Sequence, residues 1–156
     1  NYYISCNNSY VVMGNYILMD IEYIVVHCSA TRPSQDINAD TINEWHKERG
    51  FNSIGYHYVI TRDGQIEKGR DENTQGAHAL GYNHNSLGVC LVGGVKQEDY
   101  QAAENNYTDE QWKSFEKLIS DLEEKYLGVK LIGHNEISKK FCPSFDVQKW
   151  NNDRNN

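Results

Sequence analysis

Apolar residues in this chain come in short bursts between long polar stretches, and the spacing inside each burst predicts an element. Positions 22–27, Glu-Tyr-Ile-Val-Val-His, are apolar and β-branched and predict a buried strand ending at His27. Cys28 to Ser34 reads as a loop with turn residues. A helix is expected from Asp40 or Thr41, with Asp40 as candidate cap, running through Ile42, Trp45 and His46 to a stop at Gly50. Positions 56–61 read as a second strand, Arg62-Asp63-Gly64-Gln65 as a hairpin turn and Ile66-Glu67-Lys68 as the return. Positions 70–86 are rich in Gly, Asn and His and read as a long irregular loop, a kind that is usually functional in a small domain. Positions 87–92 predict another buried strand, closed by Gly93-Gly94, and 96–107 a polar surface excursion. Thr108 and Gln111 match a capping box. Beyond them Trp112, Phe115, Leu118, Ile119, Leu122 and Tyr126 keep helical spacing to Gly128. Val129 to Gly133 is a short strand ending at His134.

Strands interleaved with helices and no internal repeat predict a single α/β (α+β) domain built around one sheet. The 156 residues suit one domain with a real core. The pattern assigns it to residues 22–150, with an N-terminal extension at 1–21 and a polar C-terminal tail at 151–156. The first 19 residues carry no charge, and Asn and Gly interrupt their apolar run. A trimmed leader, an appended extension and an extra edge strand all fit, and Met19 is a candidate start.

Charge narrows the partners. Asp and Glu number 22 against 15 Lys and Arg, a net −7 without a basic stripe, so nucleic acid is not an expected partner. No stretch approaches the length of a membrane span, so no membrane partner is expected. Of the 4 cysteines (Cys6, Cys28, Cys90 and Cys142), Cys90 sits in an apolar run and reads as a buried free thiol. An even count permits disulfides without requiring them.

Two predicted strands end in histidine, at His27 and His134, and Cys142 follows eight residues after His134. Imidazole and thiolate are good zinc donors, and three protein ligands with one open position make a catalytic zinc site. Spacing alone leaves this open. Short-spaced ligand pairs are absent, and on chemistry alone two hydrogen-bonded strand-end histidines with a core thiol are the favoured reading. Strand alternation turns Cys28 to the face opposite His27, and His57 to the face opposite Tyr56. His46 reads as a structural helix residue. Glu136 is either an outer partner of His134 or an exposed carboxylate. His78, His84 and Asn85, in or beside the long Gly/Asn loop, are candidate substrate-binding residues, with ordinary loop residues as the alternative.

Longer blocks carry a family resemblance. His27-Cys28-Ser29-Ala30-Thr31, Trp45-His46-Lys47-Glu48, Gly55-Tyr56-His57 and Arg62-Asp63-Gly64 resemble the amidase-type lysozymes of coliphages. So do Gly81-Tyr82-Asn83-His84-Asn85-Ser86, Gly88 to Gly94 and Cys142-Pro143-Ser144-Phe145-Asp146. Animal peptidoglycan recognition proteins show the pattern more loosely. The resemblance spans residues 24 to 150 and implies a type-2 N-acetylmuramoyl-L-alanine amidase. Its fold would be a central mixed sheet flanked by helices, with zinc at the base of a surface cleft. It implies one Zn²⁺ per chain held by His27, His134 and Cys142, with Tyr56 and Lys140 as the catalytic residues beside it. The implied partner is bacterial peptidoglycan, and the implied state a monomer. Alternatives are a module that binds muropeptide without cutting it, a regulator of a phage RNA polymerase, and a cysteine peptidase using Cys28 or Cys142.

Overall fold

Alternation along the strands sorts the core onto the two faces of one sheet. In the computed structural model, which describes residues 10–13 and 16–156, a hairpin of β1 (Tyr10–Met13) and β2 (Tyr16–Met19) precedes β3 (Tyr23–Cys28). Helix α1 (Ala39–Glu48) leads to β4 (Tyr58–Ile60), β5 (Ile66–Lys68) and β6 (Ser86–Leu91). Helix α2 (Asp109–Lys125), β7 (Lys130–Gly133) and α3 (Val147–Arg154) complete the chain. The five-stranded sheet has the order β5-β4-β6-β3-β7. It is mixed: β3 pairs in parallel with β6 and β7, β4 in parallel with β6, and β5 antiparallel to β4.

One face is thickly apolar. Ile24, Val26 and Cys28 of β3 and Leu87, Val89 and Leu91 of β6 meet Phe115, Leu118, Ile119 and Leu122 of α2 and Val147 of α3. These spacings reflect the two-residue period of strands and the three-to-four-residue period of a helix. Trp112, Phe145 and Trp150 pack at the edge of this core. The opposite face holds a smaller cluster, with Ile42 of α1 against Ile54, Val59, Cys90 and Val92.

Helix ends follow local chemistry. At α2 the predicted capping box forms: Thr108 Oγ1 accepts from the Gln111 backbone N–H, and Gln111 Oε1 accepts from that of Thr108. At α1 the cap is Asn38 rather than the expected Asp40, because Asn38 Oδ1 accepts from the Thr41 N–H and Thr41 completes the box. Asp40 falls in the first turn, where its charge suits the helix dipole. Helix α3 has no signal in its polar sequence. Asp146 caps it, and Arg154 lies over the Trp150 ring, 4.9 Å from its centroid. Met19 and Ile21, which the pattern assigns to the extension, are buried in the main core. Cys6 lies outside the described residues.

Candidate metal centre

The parallel pairing of β3 with β7 puts two histidines side by side. Their last paired positions are Val26 and Gly133, so His27 and His134 are the next residues on neighbouring strands. Both lie at carboxyl ends, where ligand sites of open α/β sheets form. Their ring centroids are 4.5 Å apart. Cys142 comes in from the segment before α3, and the Cys28 backbone N–H donates to its Sγ at 3.1 Å. That segment is pinned to the sheet by the Tyr107 hydroxyl, which donates to the Pro143 carbonyl, and the Ser144 hydroxyl, which donates to that of Gly94. One donor atom each of His27, His134 and Cys142 lies within 4.8 Å of the others, an arrangement able to hold a metal ion. Two imidazoles and a thiol are a donor set that suits zinc.

The electrostatics keep the imidazole lone pairs free. Burial, then the neighbouring His78, His134 and Lys140, hold His27 well below the ordinary histidine range. Burial and Lys140 lower His134 as well. A hydrogen bond with the Cys28 thiol, and burial, raise Cys142, an effect that a coordinated cation would reverse.

These groups form one wall of a cleft of about 580 Å³. Tyr56 and Lys140 also line it. The Tyr56 ring lies 5.1 Å from that of His27, and burial pushes its phenol well above the ordinary tyrosine range, so it stays a donor. Lys140 is tied to the His134 turn through Ser138, whose hydroxyl donates to the His134 carbonyl and accepts from the Lys140 N–H. Arg49 and Lys139 line the cleft too, and none of its described lining residues is Asp or Glu.

The structure gathers six of the eight candidate site residues around this cleft and separates two. His78 lines it but is bonded beneath His27, its Nδ1 2.8 Å from His27 Nε2. His84 and Asn85 are not among the described lining residues. They lie in a 3-10 turn, Asn83–Asn85, within the stretch expected to be irregular, where His84 is exposed and Asn85 Nδ2 donates to Glu22. Asn83 lines the cleft instead, its Oδ1 accepting from the backbone N–H groups of His78 and Ala79. Glu136 accepts from the Gly133 N–H and from Gln148, so it braces a turn. His46 and His57 are structural: Nδ1 of His46 accepts from Gly55 N–H and Nδ1 of His57 from Gly88 N–H. The sequence pattern misses Arg49, which reads as an ordinary helix-end residue but whose guanidinium lies over the Phe51 ring at the cleft.

Comparison with known proteins agrees with this geometry. The family model described as N-acetylmuramoyl-L-alanine amidase (Amidase_2) matches residues 18–145, and the chain belongs to that family of enzymes. The endolysin of Escherichia phage T7 is 50% identical over 127 residues, covering 81% of this chain and 83% of the endolysin. The solved N-acetylmuramoyl-L-alanine amidase LysC from Clostridium intestinale superposes with a TM-score of 0.74 at 31% identity, covering 87% of this chain and 86% of that one. A Drosophila PGRP-LB mutant in complex with tracheal cytotoxin superposes with a TM-score of 0.68 at 26% identity, covering 83% of this chain and 79% of that one.

Proposed function

We propose that this amidase hydrolyses the bond between N-acetylmuramic acid and L-alanine in peptidoglycan in a zinc-dependent reaction, with His27, His134 and Cys142 as the protein ligands. The observation that carries the reading is the convergence of those three donor atoms in the wall of a cleft that Tyr56 and Lys140 also line. Zinc in such a site supplies a Lewis acid that polarises a carbonyl and acidifies a neighbouring water.

The chain's own residues supply the rest. An amide is a poor electrophile, and negative charge grows on its oxygen as the carbonyl carbon becomes tetrahedral. The Lys140 ammonium stabilises that charge. Tyr56 donates a hydrogen bond to the same oxygen or orients the attacking water. A thiolate among the ligands makes the metal a milder acid than an all-histidine set would, which raises the demand on these donors. The cleft's cations, Arg49, Lys139 and Lys140, have no carboxylate among the described lining residues to neutralise them. In a chain of net charge −7 that asymmetry suits an anionic substrate, and a stem peptide with free carboxylates is one.

Mass spectrometry of peptidoglycan digested with and without a chelator tests the reading. The expected products are free N-acetylmuramic acid carboxyls and new L-alanine amino termini, both lost on chelation and restored by zinc. Cleavage at another bond, undiminished cleavage in chelator, or zinc-loaded protein that binds wall without releasing amino termini would each overturn it.

A further inference from the structure

A chain of hydrogen bonds runs from His27 in the cleft wall through His78 to Ser86, and its far end sets its proton directions. The Ser86 hydroxyl lies 2.6 Å from the Tyr82 carbonyl oxygen. A carbonyl only accepts, so the hydroxyl proton points there. Ser86 Oγ is then left to accept, and its partner is His78 Nε2 at 3.2 Å. His78 therefore carries its proton on Nε2 and offers the Nδ1 lone pair. That lone pair faces His27 Nε2 at 2.8 Å, so His27 is the donor of this bond. With its proton on Nε2, His27 has a bare Nδ1, and Nδ1 is the atom 3.8 Å from Cys142 Sγ.

We propose that His78, oriented by Ser86, is a positioning residue that fixes His27 in the tautomer and ring orientation needed to bind a metal through Nδ1. The inference rests on the zinc reading above, and replaces a substrate-binding role for His78. The packing around His78 is built for it. A Cβ at Gly88 would come within 2.7 Å of the His78 ring, and one at Gly76 within 2.6 Å, so both glycines leave room for that imidazole. Ser86 is fully buried, which keeps water from competing for His78 Nε2. Asn83 holds the His78 and Ala79 backbone N–H groups and so sets where the ring enters. Partners that orient a metal-binding histidine typically change metal affinity by about 10–100-fold when removed.

Three variants separate positioning from mere packing. His78→Leu removes the acceptor and keeps bulk, His78→Asn restores an acceptor near the place of Nδ1, and Ser86→Ala removes the group that orients His78. Zinc affinity is read by competition with a chromophoric chelator, and folding by circular dichroism of the metal-free proteins. His78→Leu is expected to bind zinc about 10–100-fold more weakly than the parent, and His78→Asn to recover most of that loss. Ser86→Ala should fall between them. Long-range proton–nitrogen NMR on the metal-free parent should show His27 protonated on Nε2, whether or not zinc is the physiological ion. Equal zinc affinity in parent and His78→Leu, or a metal-free His27 protonated on Nδ1, would overturn the proposal. A parent that fails to bind zinc would instead refute the metal reading, with the NMR result still deciding the hydrogen-bond chain.

Discussion

The two faces of the central sheet are made from the same strands and do opposite work. On one, Ile24, Val26, Leu87, Val89 and Leu91 alternate inward against α2 and α3, and the polar groups near them are few and satisfied, such as the fully buried Gln111, which donates to the Ile60 and Val92 carbonyls. On the other, His27 takes an alternate position of β3 and the buried His57 immediately precedes β4, next to a cluster of five buried apolar residues. The first face concentrates hydrophobic burial and sets stability. The second gives up apolar contact to hold imidazoles, of which His57 and His78 have both ring nitrogens hydrogen-bonded. Strand alternation puts neighbours in sequence to different uses: the His27 ring joins the other histidines while the Cys28 side chain joins the apolar core, although both residues line the cleft.

That contrast makes the effects of substitution separable. The largest is expected for Cys142→Ala, which should lose both zinc binding and hydrolysis while keeping its circular dichroism; parental turnover in that variant would exclude Cys142 from the ligand set. Lys140→Ala should keep stoichiometric zinc and lose about 100-fold or more in kcat, and metal loss there would show that the residue acts on the site's assembly instead. On the apolar face, Phe115→Ala should lower unfolding free energy by about 3–5 kcal/mol in urea titrations, with kcat of the folded fraction unchanged. Equal losses of activity and stability in that variant would mean the faces are not independent.

Acidity probes the histidine face. Burial lowers His46 and His57 below the ordinary histidine value of 6.5, so below that pH the unfolded chain takes up protons that the folded chain refuses. Their stabilising contribution is full above pH 6.5 and declines as the pH falls. Urea midpoints of the metal-free protein should therefore drop as the pH is taken from 6.5 to about 5, and a flat profile there would contradict the burial of neutral imidazoles. The smallest effect is assigned to Arg49→Gln, with an expected rise in KM of about 5-fold for stem peptides bearing free carboxylates and none for amidated ones. An equal rise for both would remove Arg49 from anion recognition.

Much of this architecture is legible in residue order, and the exceptions have physical causes. The buried strand ending near His27 shows itself by a β-branched and apolar run, the strand before His134 by a short apolar segment after Lys130, and α2 by its box and apolar stripe. Helix α3 does not, because its sequence is polar and its packing depends on Val147 and Trp150 meeting a core assembled from distant segments. The approach of His27, His134 and Cys142 is implied only by family resemblance, since it depends on β3 and β7 being neighbours, a pairing across more than a hundred residues. His78 stands out in sequence as a site residue, but its bond to His27 does not. That bond depends on Gly76 and Gly88 admitting a ring, and the absence of a side chain leaves no periodic signal. His84 and Asn85 sit beside it in sequence, yet the 3-10 turn carries them away from the cleft.

X-ray absorption at the zinc K edge of protein loaded with one equivalent of zinc addresses the proposed ligand set directly. Two imidazoles and a thiolate predict one sulfur at about 2.3 Å and nitrogen or oxygen neighbours at about 2.0–2.1 Å, and no sulfur-coordinated zinc retained by Cys142→Ala. A first shell without sulfur in the parent protein, or a sulfur shell that survives the loss of Cys142, would contradict it.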